Sequence, residues 1–431
     1  MIADIFLRLA NRFRTGTKSR AILFYSGSSL VCQGMRFLGI LVSTSRIRAD
    51  QFGILASATM ICGLASMMRE FGQSSALLSS DGVQPGYARV HLLLTSSGGA
   101  VGALLTVGAV LMIPSLNDLK ALWPLLLFQI IFESITFTPM IVAQKTFAFG
   151  GLAIVEIIAV GTWLLATFIA AWKSPIGIAL VAARLAETAL RGTLLLAWQF
   201  QRVWRNGPTS KIMQYYFGFA KLLAPRTWIE TAVSNLDVFL LRVFTTNIEI
   251  GIYDRTAQLL RIPLSLSVNL IDAVAGAVYS REQDSPEVLW RTLRKFCFVL
   301  LVGVSTGLAI VQLFLWFLAG PILGNTWRES IESVWMWAIP IAIIRPFFWN
   351  LNIFFNATGR PRELFLSLVI GFFSYLFLGL IATPLLGVRG IFVAVAASNF
   401  FTLLFQVHWT RKAQEISAGD RPRILQPSAG A

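Results

Sequence analysis

Charge is what this sequence has least of. Charged residues make up 13% of its 431 residues, where a soluble domain carries about 25%. Hydrophobic residues make up 56%, so water is not the main solvent for the surface. Histidine and cysteine are scarcer still. Two histidines, His91 and His408, argue against a zinc site or a histidine-based relay. Cys32, Cys62 and Cys297 each sit in an apolar run and read as small buried hydrophobes, with no metal-ligand or disulfide spacing. A phosphate cradle of the form G-x-x-x-x-G-K-[ST] is absent, and so is the H-E-x-x-H metalloprotease pattern. Large hydrophilic loops are missing too, which leaves no room for an external catalytic domain. The sequence reads as that of a non-enzyme, with neither a cofactor nor a metal implied.

Long hydrophobic runs are what the chain has instead. About 20 apolar residues cross a bilayer, and twelve such segments stand out. They lie at 21–43, 53–69, 90–113, 119–141, 148–171, 175–198, 214–241, 250–278, 295–319, 330–357, 363–383 and 387–408. The seventh and eighth are the least apolar. The expectation is an all-α, polytopic membrane protein of about twelve transmembrane helices. A basic tail (1–20) precedes a first six-helix bundle (21–198). A linker (199–213) leads to a second bundle (214–408) and a C-terminal tail (409–431). The apolar run after the basic tail continues past Val42 with no small-residue cleavage site, so the first helix reads as retained.

Lysine and arginine set an orientation. With both termini placed in the cytoplasm, 21 of the 36 Lys and Arg fall on that side, seven on the other and eight within spans. That bias is the positive-inside pattern. It accounts for most of the +15 net charge, so nucleic acid need not be invoked as a partner. Basic residues such as Arg8, Arg12, Arg14, Lys18 and Arg20 face anionic lipid more simply.

Fifteen ionisable side chains fall inside the spans, and each is costly there unless paired or hydrated. They recur at helical spacing. Arg184, Glu187 and Arg191 share one helix face, as do Arg226, Glu230 and Asp237. Asp254 and Arg261 share another, Arg345 aligns with Asn352 and Asn356, and Arg36 aligns with Ser29 and Gln33. Each helix therefore carries a polar stripe, and converging stripes imply a hydrated interior. Each motif also has a purely structural reading. The 184–191 trio is equally an ion-pair ladder, and Asp237 and Asp254 are equally end caps for a short connection. Glu133 and Glu156 are either sites for a coupling Na+ or H+ or partners of arginines. Arginine offers a planar fork that fits phosphate and carboxylate, which makes Arg36, Arg184, Arg191, Arg255, Arg261 and Arg345 the candidate contacts for an anionic head group. Trp163, Trp228 and Trp349 are placed either to stack on sugars or to anchor helices at the interface.

The chain repeats itself. Gly53 and Gly251 each follow a short loop and open the second helix of a six-helix half, 198 residues apart. Such repeats are typical of secondary transporters. Around these glycines the sequence resembles a family. The run Thr44-Ser45-Arg46 through Asp50-Gln51-Phe52-Gly53, followed by Arg69-Glu70-Phe71-Gly72-Gln73-Ser74-Ser75-Ala76-Leu77, is similar to the start of bacterial polysaccharide flippases. So are Asn235-Leu236-Asp237 through Gly251-Ile252-Tyr253, then Ala257 and Pro263, and the turn Asn356-Ala357-Thr358-Gly359-Arg360. The resemblance is to the Wzx-type and exopolysaccharide-export branch of the multidrug/oligosaccharidyl-lipid/polysaccharide superfamily. It implies two six-helix bundles working by alternating access in the bacterial inner membrane. The implied substrate is an undecaprenyl-pyrophosphate-linked oligosaccharide, with membrane lipid and other polysaccharide-assembly proteins as partners. The cavity arginines would meet its pyrophosphate. The alternative within the same superfamily is a cation-coupled multidrug-type exporter.

Overall fold

The computed structural model describes residues 18–79, 86–174, 176–204, 209–282 and 286–419. Most of the basic N-tail (1–17), four linker residues (205–208) and the end of the C-tail (420–431) lie outside the described residues.

Every regular element among the described residues is helical. Lipid offers no partners for backbone N–H and C=O groups, and a helix satisfies them within one segment. In chain order the helices are α1 (Lys18–Arg46), α2 (Ala49–Arg69), α3 (Gln73–Ser79), α4 (Tyr87–Met112), α5 (Trp123–Lys145), α6 (Phe149–Lys173) and α7 (Gly177–Val203). Then come α8 (Thr209–Phe244), α9 (Asn247–Glu282), α10 (Pro286–Phe317), α11 (Ala319–Leu323), α12 (Asn325–Ala357), α13 (Pro361–Leu386) and α14 (Val388–Gly419). A 3-10 segment, Pro114–Leu122, leads into α5. Apart from the short α3 and α11, each helix overlies one of the twelve segments read from the sequence.

Eight of these helices are long and apolar enough to cross a membrane: α2, α4, α5 with its 3-10 lead, α6, α10, α12, α13 and α14. The chain is a multi-pass membrane protein. The remaining four long helices, α1, α7, α8 and α9, carry all the in-span charges except Glu133, Glu156 and Arg345. Their polar stripes are what lower their mean hydropathy.

Two of the family-like motifs prove to be turns. Gly72 between α2 and α3 has φ +76° and Gly359 between α12 and α13 has φ +70°, a region that glycine enters without steric cost. In the first of these turns Glu70 accepts hydrogen bonds from the Ser74 backbone N–H (3.3 Å) and hydroxyl (2.8 Å), tying the turn to the start of α3.

The chain forms two compact units. The first holds the described residues up to Gln258 together with Phe314–Val334 and Thr383–Ile391. Within it α1 packs on α6, α4 on α5, and α7 on both α5 and α6, while α2 packs on α4 and α8. Small residues let these helices approach closely. A Cβ on Gly98 or Gly102 of α4 would stand 2.0 or 2.7 Å from the backbone oxygens of Met68 and Ala65 on α2. The core between them is apolar, with Met60, Ile61, Leu119, Leu126 and Ile130 at its centre.

The second unit holds Leu259–Leu313, Trp335–Ala382 and the described residues from Phe392 onward. Its core gathers Tyr279, Leu300, Phe354, Phe355 and Leu364. The buried Tyr279 hydroxyl donates to Asn350 Oδ1 (2.9 Å), and Gln406 Nε2 on α14 donates to Asn352 Oδ1 on α12 (2.7 Å).

Candidate functional site

A dense polar cluster lies in the first unit, where α1, α6 and α7 pack together. Its centre is Glu187 on α7, whose side chain is 0% exposed. Three guanidinium groups donate to this one carboxylate: Arg36 of α1 at 2.8 Å, Arg184 at 2.5 Å and Arg191 at 2.6 Å. Arg191 also donates to Glu156 of α6 at 3.0 Å. Spacings of three and four residues bring Arg184, Glu187 and Arg191 onto one face of α7, as the sequence pattern requires. Arg36 arrives from a helix 151 residues away. Its guanidinium lies 5.9 Å from the centre of the Trp163 ring. That ring crosses α1 at Gly39, where a Cβ would come within 2.5 Å of it.

The electrostatics of this cluster are unbalanced. Three arginines share two carboxylates, leaving one net positive charge. The side chains of Arg36 and Arg184 remain 31% and 33% exposed, so each has a face free of protein. A buried carboxylate holds the guanidinium planes in place, and their outer edges can meet another anion. Charge-assisted, bidentate contacts of that kind are the strongest available to phosphate.

The other candidates sit elsewhere. Glu133 of α5 pairs with Arg69 at 3.5 Å and accepts from Gln129 at 3.2 Å, while Arg69 lies 4.8 Å over the Phe137 ring. Glu133 and Glu156 are thus both paired with arginines. Asp237 accepts the Tyr253 hydroxyl at 2.6 Å and its neighbour Val238 N–H at 2.8 Å. Asp254 accepts Arg255 at 2.7 Å and Gln258 at 2.8 Å. Each of these aspartates is a full seven residues inside its helix, so the end-cap reading of the pair does not hold. Arg255 is 4% exposed, paired with Asp254 and laid 3.9 Å over the Phe52 ring, which is a dry contact. Arg261 is exposed, and Arg345 lies 5.2 Å over Trp349; both belong to the second unit. Trp228 is used structurally, its Nε1 donating to the Met67 carbonyl at 3.0 Å and its ring meeting Phe71 edge-on.

Three side-chain arrangements escape sequence reading. The convergence of Arg36 and Glu156 on the α7 trio has no local signal, and neither has the Arg69–Glu133 pair. His91 turns out to be fully buried inside α4, its Nδ1 2.7 Å from Thr138 Oγ1 and its ring stacked on Phe137. A G-x-S-x-G run, Gly303 to Gly307, is present in the sequence. It lies in the middle of α10, without the strand-to-helix turn that exposes a nucleophilic serine.

Residues 46–332 match the family described as polysaccharide biosynthesis protein. No curated protein sequence matches the chain. Among solved structures, the inward closed conformation of the lipid II flippase MurJ superposes with a TM-score of 0.73 at 11% identity, covering 92% of this chain and 90% of that one. An inward-facing multidrug resistance MATE family transporter of the MOP superfamily superposes at 0.62 and 12% identity, covering 90% of this chain and 95% of that one. A MOP superfamily transporter from Pyrococcus furiosus, described as having a binding pocket of reverse polarity, superposes at 0.57 and 13% identity, covering 95% and 98%. At such identities the likeness is one of fold.

Proposed function

The chain belongs to the polysaccharide biosynthesis protein family, and from that premise we propose that it flips an undecaprenyl-pyrophosphate-linked oligosaccharide from the cytoplasmic to the periplasmic leaflet of the bacterial inner membrane. Transport is by alternating access, and both termini are cytoplasmic. The observation that supports this cargo is the arginine cluster around Glu187. Arg36, Arg184 and Arg191 converge with a net positive charge, and the Arg36 and Arg184 side chains keep an exposed edge. A pyrophosphate head group cannot cross hydrocarbon unaided, and a preorganised set of guanidiniums lowers that cost. Trp163 beside Arg36 offers an aromatic face to the first sugar. The lipid tail stays in the bilayer. In the second unit Arg261 and Arg345 are the candidate anion contacts, and Glu156 and Glu133, being paired with arginines, act as ion-pair partners in preference to sites for a coupling ion.

The same fold is carried by multidrug transporters, so the sign of the charge at this cluster bears on the choice between the two readings. A cation exporter needs a net negative site, and this cluster has the opposite sign. Deleting the gene and following surface polysaccharide together with lipid-linked intermediates tests the proposal. Loss of polymer with intracellular build-up of lipid-linked units is the expected outcome. Normal polymer with altered drug sensitivity overturns it.

A further inference from the structure

Gly53 on α2 and Gly251 on α9, matched through the sequence repeat, lie against each other's helix. A Cβ on Gly53 would stand 2.0 Å from the backbone oxygen of Asn247. A Cβ on Gly251 would stand 1.8 Å from the backbone oxygen of Ala49 and 3.1 Å from the Gly53 nitrogen. Ala49 and Asn247 are themselves 198 residues apart, the same offset that relates the two glycines. The contact therefore maps onto itself when the two halves of the repeat are exchanged.

Other helix starts gather at this crossing, all within the first compact unit. Phe52, fully buried, receives the Arg255 guanidinium on its face at 3.9 Å and the Trp327 ring edge-on at 5.6 Å. Trp327, from the first turn of α12, donates its Nε1 to the Ile47 carbonyl at 3.3 Å. Glu249 lies against the turn between α13 and α14, where a Cβ on Gly387 would meet its carboxylate at 2.9 Å.

We propose that this glycine crossing is the seal that closes one side of the transport path, and that it parts when the path opens there. The inference rests on the alternating-access reading above. Three properties suit a contact made to break. Backbone meets backbone at the glycines, so no side chains interlock. The contacts around Phe52 are a cation–π stack, an edge-on aromatic pair and a long hydrogen bond, each weak alone, and a further, exposed polar tie runs from Asn247 Nδ2 to Asp118 at 2.6 Å beside the Arg242–Asp118 ion pair. Arg255 takes its counter-ion, Asp254, from its own helix, so Arg255 can leave Phe52 with its charge still paired. Arg255 is thereby a positioning residue of the seal and not a contact for cargo. On the charge-bias orientation the sealed face is the outer one.

Ile47 is buried among Phe52, Ala170, Leu180 and Trp327 and serves as a reporter. The test uses purified full-length protein in detergent, with Cys32, Cys62 and Cys297 replaced by alanine and Ile47→Cys introduced. Fluorescein maleimide should label this parent slowly. It should label the Gly53→Ala and Gly251→Ala variants about tenfold faster, as expected when a two-state equilibrium shifts by one decade. Gly108→Ala, whose Cβ meets open space, should leave the parent rate unchanged. Slow labelling in folded Gly53→Ala and Gly251→Ala overturns the proposal. If neither glycine variant is recovered folded, Phe52→Leu carries the same test, since it removes the aromatic face and keeps the apolar bulk. Faster labelling supports the seal, and an unchanged rate overturns it. Labelling needs no glycan, so a wrong cargo does not affect this readout. In cells the glycine variants should lose export, and fast labelling with full export overturns the assignment of this crossing to the path.

Discussion

Arg191 donates to Glu187 one turn earlier on α7 at 2.6 Å, and the same guanidinium reaches Glu156 on α6 at 3.0 Å. A single arginine thus joins the fully buried carboxylate to a half-buried one on a neighbouring helix. The cluster is at once a structural joint between α1, α6 and α7 and the candidate anion site. The two roles respond differently to substitution.

Glu187→Gln takes the carboxylate partner from Arg36 and Arg184 and leaves Arg191 with Glu156 alone. Removing one partner from a buried ion pair costs about 3–5 kcal/mol, so the melting temperature in detergent should fall clearly below that of the wild type. Glu156→Gln should cost less, because that carboxylate is 28% exposed and serves one arginine. Equal melting of the Glu187→Gln variant and the wild type would show that the joint contributes nothing.

Substituting the arginines tests the anion site. Arg36→Gln, Arg184→Gln and Arg191→Gln should each reduce glycan export by about tenfold or more, the loss of roughly one charge-assisted contact. Lysine at the same positions keeps the charge but not the planar fork, and should restore export only in part. Surface polysaccharide and accumulated lipid-linked intermediate are the readouts. Full export in all three glutamine variants sinks the assignment.

Tyr253→Phe removes the 2.6 Å bond to Asp237. The carboxylate then keeps the Val238 N–H but loses its tyrosine donor. Leaving a partly buried charged group short of one hydrogen bond costs about 1.5–3 kcal/mol. Thermal melting in detergent should show the loss, and a Tyr253→Phe variant as stable as wild type would mean that water replaces the hydroxyl without cost.

Glu70 lies between α2 and α3, and burial pushes its carboxyl above the ordinary value of 4.5, against the opposing pull of its Ser74 hydrogen bonds. The folded state therefore holds the proton more tightly than the unfolded state. The stability from this group is fully present below pH 4.5 and declines as pH rises through the raised value. Glu70→Gln cannot ionise, so its melting temperature should fall less than that of wild type as the pH is raised from 4.5 toward neutrality. Parallel melting curves across that range would place the carboxyl at its ordinary value.

Sequence alone determined the helices, because the length of an apolar run decides whether it crosses a bilayer. It also marked the turn at Gly359, where the backbone needs a positive φ. Helical spacing showed which charges share a face, and the α7 trio follows that spacing. Periodicity names a face but not what the face meets. Only the packing of α1 and α6 against α7 brought Arg36 and Glu156 to Glu187. Only packing turned Arg255 from a free cation into a group stacked on Phe52. The offset of 198 was legible, yet the reciprocal contact of Gly53 and Gly251 was not. A repeat relates two segments in the chain, and close packing in three dimensions decides whether they touch.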